Sequence, residues 1–250
     1  MHSPAEAAPS IVLVPELPAS GGRFMLPENE SHYLTRVCRA REGDRASATD
    51  GRGALATIRL VSRDHPAMVE VETITHTRRT RSAWVMAGAP DGDRGDWMVE
   101  KLAELGVAVF QPVECERGAW QRMGTRTERW GRLAVAALRQ SRRPFLLEIR
   151  PPVPLAEALE QLPEETPEKA GRWIADAGGQ RGSHFAPSAG GTAVGLVGPP
   201  AGFTALERSA ATDRGFAPIS LSNGRLRTET AAMAWACWWA AGDSNDALGG

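Results

Sequence analysis

The sequence predicts an α/β protein: a parallel sheet covered by helices in its larger C-terminal part, preceded by a small β-barrel. Three observations predict it. Residues 11–75 hold short β-type runs and one helical segment. From residue 82 onward, near-continuous apolar runs alternate with helical segments, the pattern of strands buried on both faces. Between them lies the basic stretch THTRRTRS, residues 75–82, which places the expected domains at 1–78 and 79–250.

In the first part, strands are expected at 11–14, 23–26, 54–61 and 67–74. TDGRG at 49–53 reads as a hairpin turn. ENESHYLTRVCRA, 28–40, follows Pro27 and reads as a short helix. In the second part, strands are expected at 83–87, 107–113, 172–176, 193–198 and 216–221. Asp93 is placed to cap a helix that Gly106 ends. TERWGRLAVAALRQ, 127–140, sets Trp130, Leu133, Ala134, Ala137 and Leu138 on one face. Arg129, Arg132 and Arg139 lie on the other, with Arg117, Arg122, Arg126, Arg142 and Arg143 nearby, so a groove for a polyanion is expected. The proline-rich acidic segment 150–170 reads as a surface helix with flanking turns.

Composition excludes several classes. Hydrophobic residues make up 42% and charged residues 24% of the 250, as in ordinary globular chains. Cys38, Cys115 and Cys237 lie too far apart in sequence to suggest a disulfide framework or a zinc site, so no metal is expected and a reducing cytoplasm is. No basic segment precedes an apolar core at the N-terminus, so no signal peptide is read. The apolar run Ala231–Ala241 falls short of the roughly 20 residues a membrane helix needs. Net charge is −1, but unevenly spread: residues 151–250 carry 7 basic against 11 acidic side chains, and 82–150 carry 11 against 9. GRGALA at 51–56 fits a dinucleotide-loop pattern without the strand and helix that would make it one. No Gly-x-Ser-x-Gly occurs, which disfavours a hydrolase, and the histidines have no ligand spacing.

Two segments carry chemistry. GLVGPPAGFT, 195–204, is an apolar strand ending in a Gly-Pro turn. In open α/β sheets, ligands sit beyond the carboxyl ends of strands. SLSNGRLRTETA, 220–231, follows the next strand and places Arg225 and Arg227 just before a helix N-terminus, where the helix dipole disfavours cations. An anionic partner accounts for that placement. Trp235, Trp238 and Trp239 read as core or as a contact between subunits.

These segments resemble the bacterial 16S ribosomal RNA uridine-N3 methyltransferase family of the SPOUT class. Its members read IGPEGG…F where this chain has Val197–Phe203, and SLGxRILRTETA where it has Ser220–Ala231. GDWMVEKLAELGV (95–107), RWGRLAVAALRQSRRP (129–144) and SHYLTRVCRAREGD (31–44) are similar to further family segments, so the likeness covers about residues 10–240. The resemblance implies a PUA-like barrel and a parallel sheet with a C-terminal trefoil knot. It also implies S-adenosylmethionine as cofactor, a homodimer, and the small ribosomal subunit or its 16S RNA as partner.

Carried onto this chain, the cofactor residues are Asp176, Val197, Gly198, Gly202, Leu221, Ser222, Leu226 and Thr230. Arg227 is expected to stabilise charge on the uracil oxygens, with Glu229 a possible proton acceptor or a favourable helix-start acid. Arg23, Arg36, Arg39, Arg143 and Arg225 are expected to meet RNA. The chain departs from the family at Pro200-Ala201, which replaces an acid-Gly pair, and at Ser222-Asn223-Gly224. Proline loses an N–H and alanine resists positive φ, so a reshaped loop is expected. That leaves a non-catalytic RNA-binding relative, or a methyltransferase for another RNA or a small molecule, as the alternatives.

Overall fold

The computed structural model describes residues 10–120, 123–162, 171–181 and 191–241. Contacts divide the chain into two compact units: Met1–Arg79 with Leu138–Leu146, and Thr80–Ala137 with Leu147–Gly250.

The first unit is a five-stranded sheet. Its strands are β1 (Ile11–Leu13), β2 (Arg23–Met25), β3 (Arg45–Thr49), β4 (Ala54–Ser62) and β5 (Met68–His76), in the order β1-β3-β4-β5-β2. β1 runs parallel to β3 and the other pairs are antiparallel. The expected barrel is thus a curled sheet whose hydrogen-bonded path stays open. β3 was not anticipated, because RASAT carries too few large apolar residues to read as a strand. It exists as the partner of β4 across the 49–53 hairpin, where Asp50 Oδ1 accepts the amides of Arg52 and Ala54 and Gly51 and Gly53 take positive φ. Alternation along β4 buries Ala54, Ala56, Ile58 and Leu60.

The helix expected at 28–40 is shorter and changes its winding: α1 spans Glu28–His32, and a π turn continues through Tyr33–Val37. Glu30 of α1 is buried, accepts the Leu13 amide at 3.0 Å and meets Arg139 Nη2 at 2.6 and 2.7 Å. Arg139 also lies over the Tyr33 ring at 3.8 Å. Arg139 is therefore committed inside the fold and is not a free member of the expected polyanion groove. It is the counter-ion of a carboxylate taken out of water.

The second unit is a parallel sheet of β6 (Arg81–Ala87), β7 (Val109–Glu114), β8 (Glu148–Ile149), β10 (Arg172–Arg181), β11 (Gly191–Val197) and β12 (Ala217–Ser220), in the order β12-β10-β11-β6-β7-β8. A short β9 (Val153–Pro154) also pairs with β7. The helices are α2 (Arg94–Glu104), α3 (Met123–Ser141), α4 (Leu155–Glu160), α5 (Ala205–Asp213) and α6 (Thr228–Ala241). β11 is buried on both faces. Val194 and Leu196 join Leu155, Leu159, Ala211 and Phe216 on one side, while Gly195 faces Trp235 of α6 on the other. α6 also packs against β6 and α2. A second aromatic group, Phe110, Trp120 and Trp130, meets edge-to-face with centroids 5.3–6.1 Å apart.

Gly106 ends α2 with φ +80°, as expected, but Asp93 does not cap it through its side chain. The carboxylate instead reaches Arg126 at 3.4 Å. Asp96, one turn in, ties α2 to α3 by accepting from Trp130 Nε1 and Arg129, both at 2.7 Å. The helix expected within 150–170 is α4, and residues 163–170 lie outside the described part.

A Cβ at Gly195 would stand 2.3 Å from the Trp235 ring, which is fully buried. Gly195→Ala is expected to cost about 1–3 kcal/mol by overpacking, read as a lower urea midpoint with an unchanged slope.

A cleft at the ends of three parallel strands

β10 lies between β11 and β12; its register is interrupted between Ala175 and Gln180, where Asp176 sits, and the chain leaves β11 at Val197 and β12 at Ser220. The turns that follow enclose a cleft of about 350 Å³. Asp176, Val197, Gly198, Gly202, Leu221, Ser222 and Leu226 all line it, as does Arg225. Thr230, Arg227 and Glu229 do not.

The two loops expected to act together are bonded to each other. Thr228, buried at the start of α6, donates its hydroxyl to the Gly198 carbonyl at 2.8 Å, and Arg225 Nη2 donates to the Pro200 carbonyl at 2.6 Å. Satisfying these carbonyls inside the fold leaves the loops little freedom to part.

Pro200 and Ala201 are accommodated in a regular turn of the 198–202 loop. Gly202 N–H closes a turn on the Pro199 carbonyl at 2.7 Å, putting Pro200 and Ala201 at its central positions. Proline suits the first of these, and the turn makes no use of its missing N–H. Positive φ falls on Gly202, at +73°, and not on Ala201. Beneath the turn, Pro199 is wedged between two glycines: a Cβ at Gly88 would meet its nitrogen at 2.7 Å, and one at Gly118 its Cβ at 2.7 Å.

Three charged side chains that the sequence did not assign to this cleft matter here. Arg208 lines the cleft and binds Asp176 at 2.6 Å. Arg117 also lines it, from the turn Cys115–Gly118, whose Glu116 N–H is held by Glu207 at 2.8 Å. Glu207 and Thr204 form a capping box at the start of α5. The Thr-x-x-Glu spacing was there to be read as this helix start. Nothing local to VECERG announces that Arg117 reaches a cleft built 80 residues later.

The remaining predicted residues separate by role. Glu229 is buried in the first turn of α6 and pairs with Arg94 at 3.3 Å. Arg227 is exposed, and among the described residues its guanidinium has no hydrogen-bond or ion-pair partner. In the first unit, Arg36 and Arg39 are exposed, Arg39 with φ +57°, and Arg23 is an exposed partner of Glu70 at 2.7 Å. Arg143 is exposed, and its charge, after burial, helps lower the pKa of Arg79, which lies 4.3 Å over Phe145. Arg122 lies outside the described residues. Burial pushes the Cys115 thiol up to about 12, which removes it as a nucleophile. Among the described residues no acidic, histidine or cysteine cluster suits a metal ion, and no helix is long and apolar enough to cross a membrane.

A model of the RNA methyltransferase domain matches residues 78–240, and one of the RNA methyltransferase PUA domain matches 26–67. A crystal structure of a ribosomal RNA small subunit methyltransferase E from Neisseria gonorrhoeae, bound to S-adenosyl methionine, is 29% identical with a TM-score of 0.81 and covers 92% of this chain and 95% of that one. That of a probable rRNA-methyltransferase from Porphyromonas gingivalis is 30% identical at a TM-score of 0.78, covering 95% and 99%. The ribosomal RNA small subunit methyltransferase E of Synechocystis is 29% identical over 204 residues, 80% of this chain and 67% of its own length. The chain spans between half and two thirds of the curated relatives it matches.

Asp176 has its pKa lowered first by the Gly178 N–H at 2.9 Å and then by Arg208. A carboxyl depressed on folding stabilises the fold above its unfolded pKa, near 4, and loses that contribution as pH falls through the folded value. The stability gap between the protein and Asp176→Asn, measured by urea unfolding, is expected to be constant from pH 7 to 5 and to shrink below pH 4.

Proposed function

This chain belongs to the RNA methyltransferase family, and on that premise we propose that it transfers a methyl group from S-adenosylmethionine to N3 of a uridine in 16S ribosomal RNA. The observation that carries the reading is the pair of bonded strand-end turns around one cleft. Its volume falls in the usual range for small-molecule sites, about 300–1,000 Å³. The open space over Gly202, where a Cβ would meet nothing within 4 Å, leaves the turn approachable.

In this reading, the backbone of 197–202 and 221–226 holds the adenosyl part, and Asp176, already polarised by Arg208, accepts from its hydroxyls. The cofactor supplies an electrophilic methyl on a sulfonium centre. N3 of uracil carries a proton that must leave as the new bond forms, and negative charge spreads onto O2 and O4. An unpartnered guanidinium beside the cleft is suited to receive that charge. Arg227 takes this role; it stays protonated and is not the base. Glu229, buried against Arg94, positions the start of α6, and water takes the proton.

The first unit grips RNA phosphates through Arg23, Arg36, Arg39 and Arg143; in the second unit, Arg225 at the cleft rim is a separate RNA contact. The second acts as part of a homodimer in the cytoplasm. The strand order β12-β10-β11-β6, with α6 returning over β11 and β6, supports a threaded C-terminus. The intact turn at 199–202 favours a cofactor-binding enzyme over a non-catalytic relative.

Arg227→Ala is expected to lower methylation of small subunits lacking the modification by 100-fold or more, since one such donor supplies roughly 10²–10³ in rate. Cofactor affinity by calorimetry is expected to stay within threefold, and equal loss of both refutes this division of roles. RNA affinity should fall with salt, with a log–log slope of about −3 if four arginines each neutralise a phosphate of single-stranded RNA. A flat dependence removes the arginine contacts from the reading.

A further inference from the structure

A methyl transfer needs its acceptor in van der Waals reach of the donor, so the acceptor must occupy space continuous with the donor cleft. Two other cavities adjoin that cleft. One, of about 250 Å³, lies along Ser220–Asn223 and Trp238. The other, of about 580 Å³, lies between the 89–93 loop and the Cys115–Trp120 segment and shares Arg117, Pro200 and Ala201 with the donor cleft. Only the larger reaches the volume usual for a ligand site.

The chemistry of its walls separates them further. The larger cavity presents Asp91 and Asp93 as acceptors and Arg117 and Arg126 as donors, while the smaller offers Arg181 as its one charged side chain. A pyrimidine with an imide edge shows a donor N–H flanked by two acceptor carbonyls. It therefore needs the mixture of carboxylate and guanidinium that the larger cavity holds. Among the described residues Arg117 has no hydrogen-bond or ion-pair partner. Its turn is fixed by the Cys115–Gly118 hydrogen bonds, by Glu207 on Glu116 N–H and by Pro199 against Gly118. An immobile turn thus delivers an uncommitted guanidinium to the partition between two clefts.

We propose that the cavity between residues 89–93 and 117–120 receives the target uracil nucleotide, with Arg117 at the partition binding its carbonyl or phosphate oxygens. This rests on the donor cleft assigned above and adds where the acceptor enters and which residue spans both.

The test uses small subunits reconstituted with 16S RNA containing 4-thiouridine, irradiated with the full-length protein and mapped by peptide mass. Crosslinks to residues 89–93 or 117–120 support the proposal, and crosslinks to 220–223 or 238 overturn it. Two variants supply the kinetic arm. Ala119 is exposed at the cavity wall, so Ala119→Trp is expected to fill it and lower kcat/KM at least 50-fold. Arg117→Ala is expected to lower kcat/KM 10- to 100-fold. Cofactor affinity by calorimetry should change less than threefold in both, which also checks folding. An Ala119→Trp protein with undiminished kcat/KM overturns the proposal. Failure of the unaltered protein to bind the cofactor refutes the donor cleft instead, and the crosslink map reads acceptor entry independently.

Discussion

The hydroxyl of Thr228 on the Gly198 carbonyl is the contact on which the cleft depends. It joins the first residue of the last helix to the end of a strand 30 positions earlier. Arg225 repeats the connection one loop-width away, on Pro200. Neither bond is strong alone, since a neutral hydrogen bond contributes roughly 1 kcal/mol net. Their value lies in direction. Carbonyls at strand ends have no ladder partner, and here they are met by the very segment that forms the opposite wall. The site is thus a consequence of how α6 is seated, and α6 is seated by Trp235 filling the space over Gly195.

Charge in this molecule divides by burial. Glu30 with Arg139 and Glu229 with Arg94 each set a nearly inaccessible carboxylate against an arginine. Removing one member of such a pair leaves a bare charge where water does not reach, so both pairs constrain structure. Arg227 and Arg117 are the opposite case, guanidinium groups without a described partner at the margin of a cleft. A sequence displays all of these as arginines among helices. Accessibility and partner separate the structural from the functional.

That distinction explains what was legible in advance. The alternation in β4, the unbroken apolar runs of β6 and β11, and the glycines at 106 and 202 are local signals, and the elements formed where they predicted. The cleft lining at 197–202 and 221–226 was legible because both loops follow strands. β3 and the π turn were not, since the alternating residues of RASAT are only alanines and winding depends on tertiary contacts. Arg139 was assigned to the polyanion groove because its acid lies 109 positions away. Arg117 was noted only as one charge among many, because its turn is held by Glu207, 91 residues from Glu116.

Pro199, fitted between the bare α-carbons of Gly88 and Gly118, has a consequence for how a ligand arrives. A wall pinned from below cannot swing, so its amide and carbonyl groups already point where they will be used. Association then requires little reorganisation of the host, and the entropic penalty of induced closure is largely avoided. Occupancy of this cleft should be governed by diffusion and fit, with single-phase kinetics, in the manner of a key entering a lock already cut.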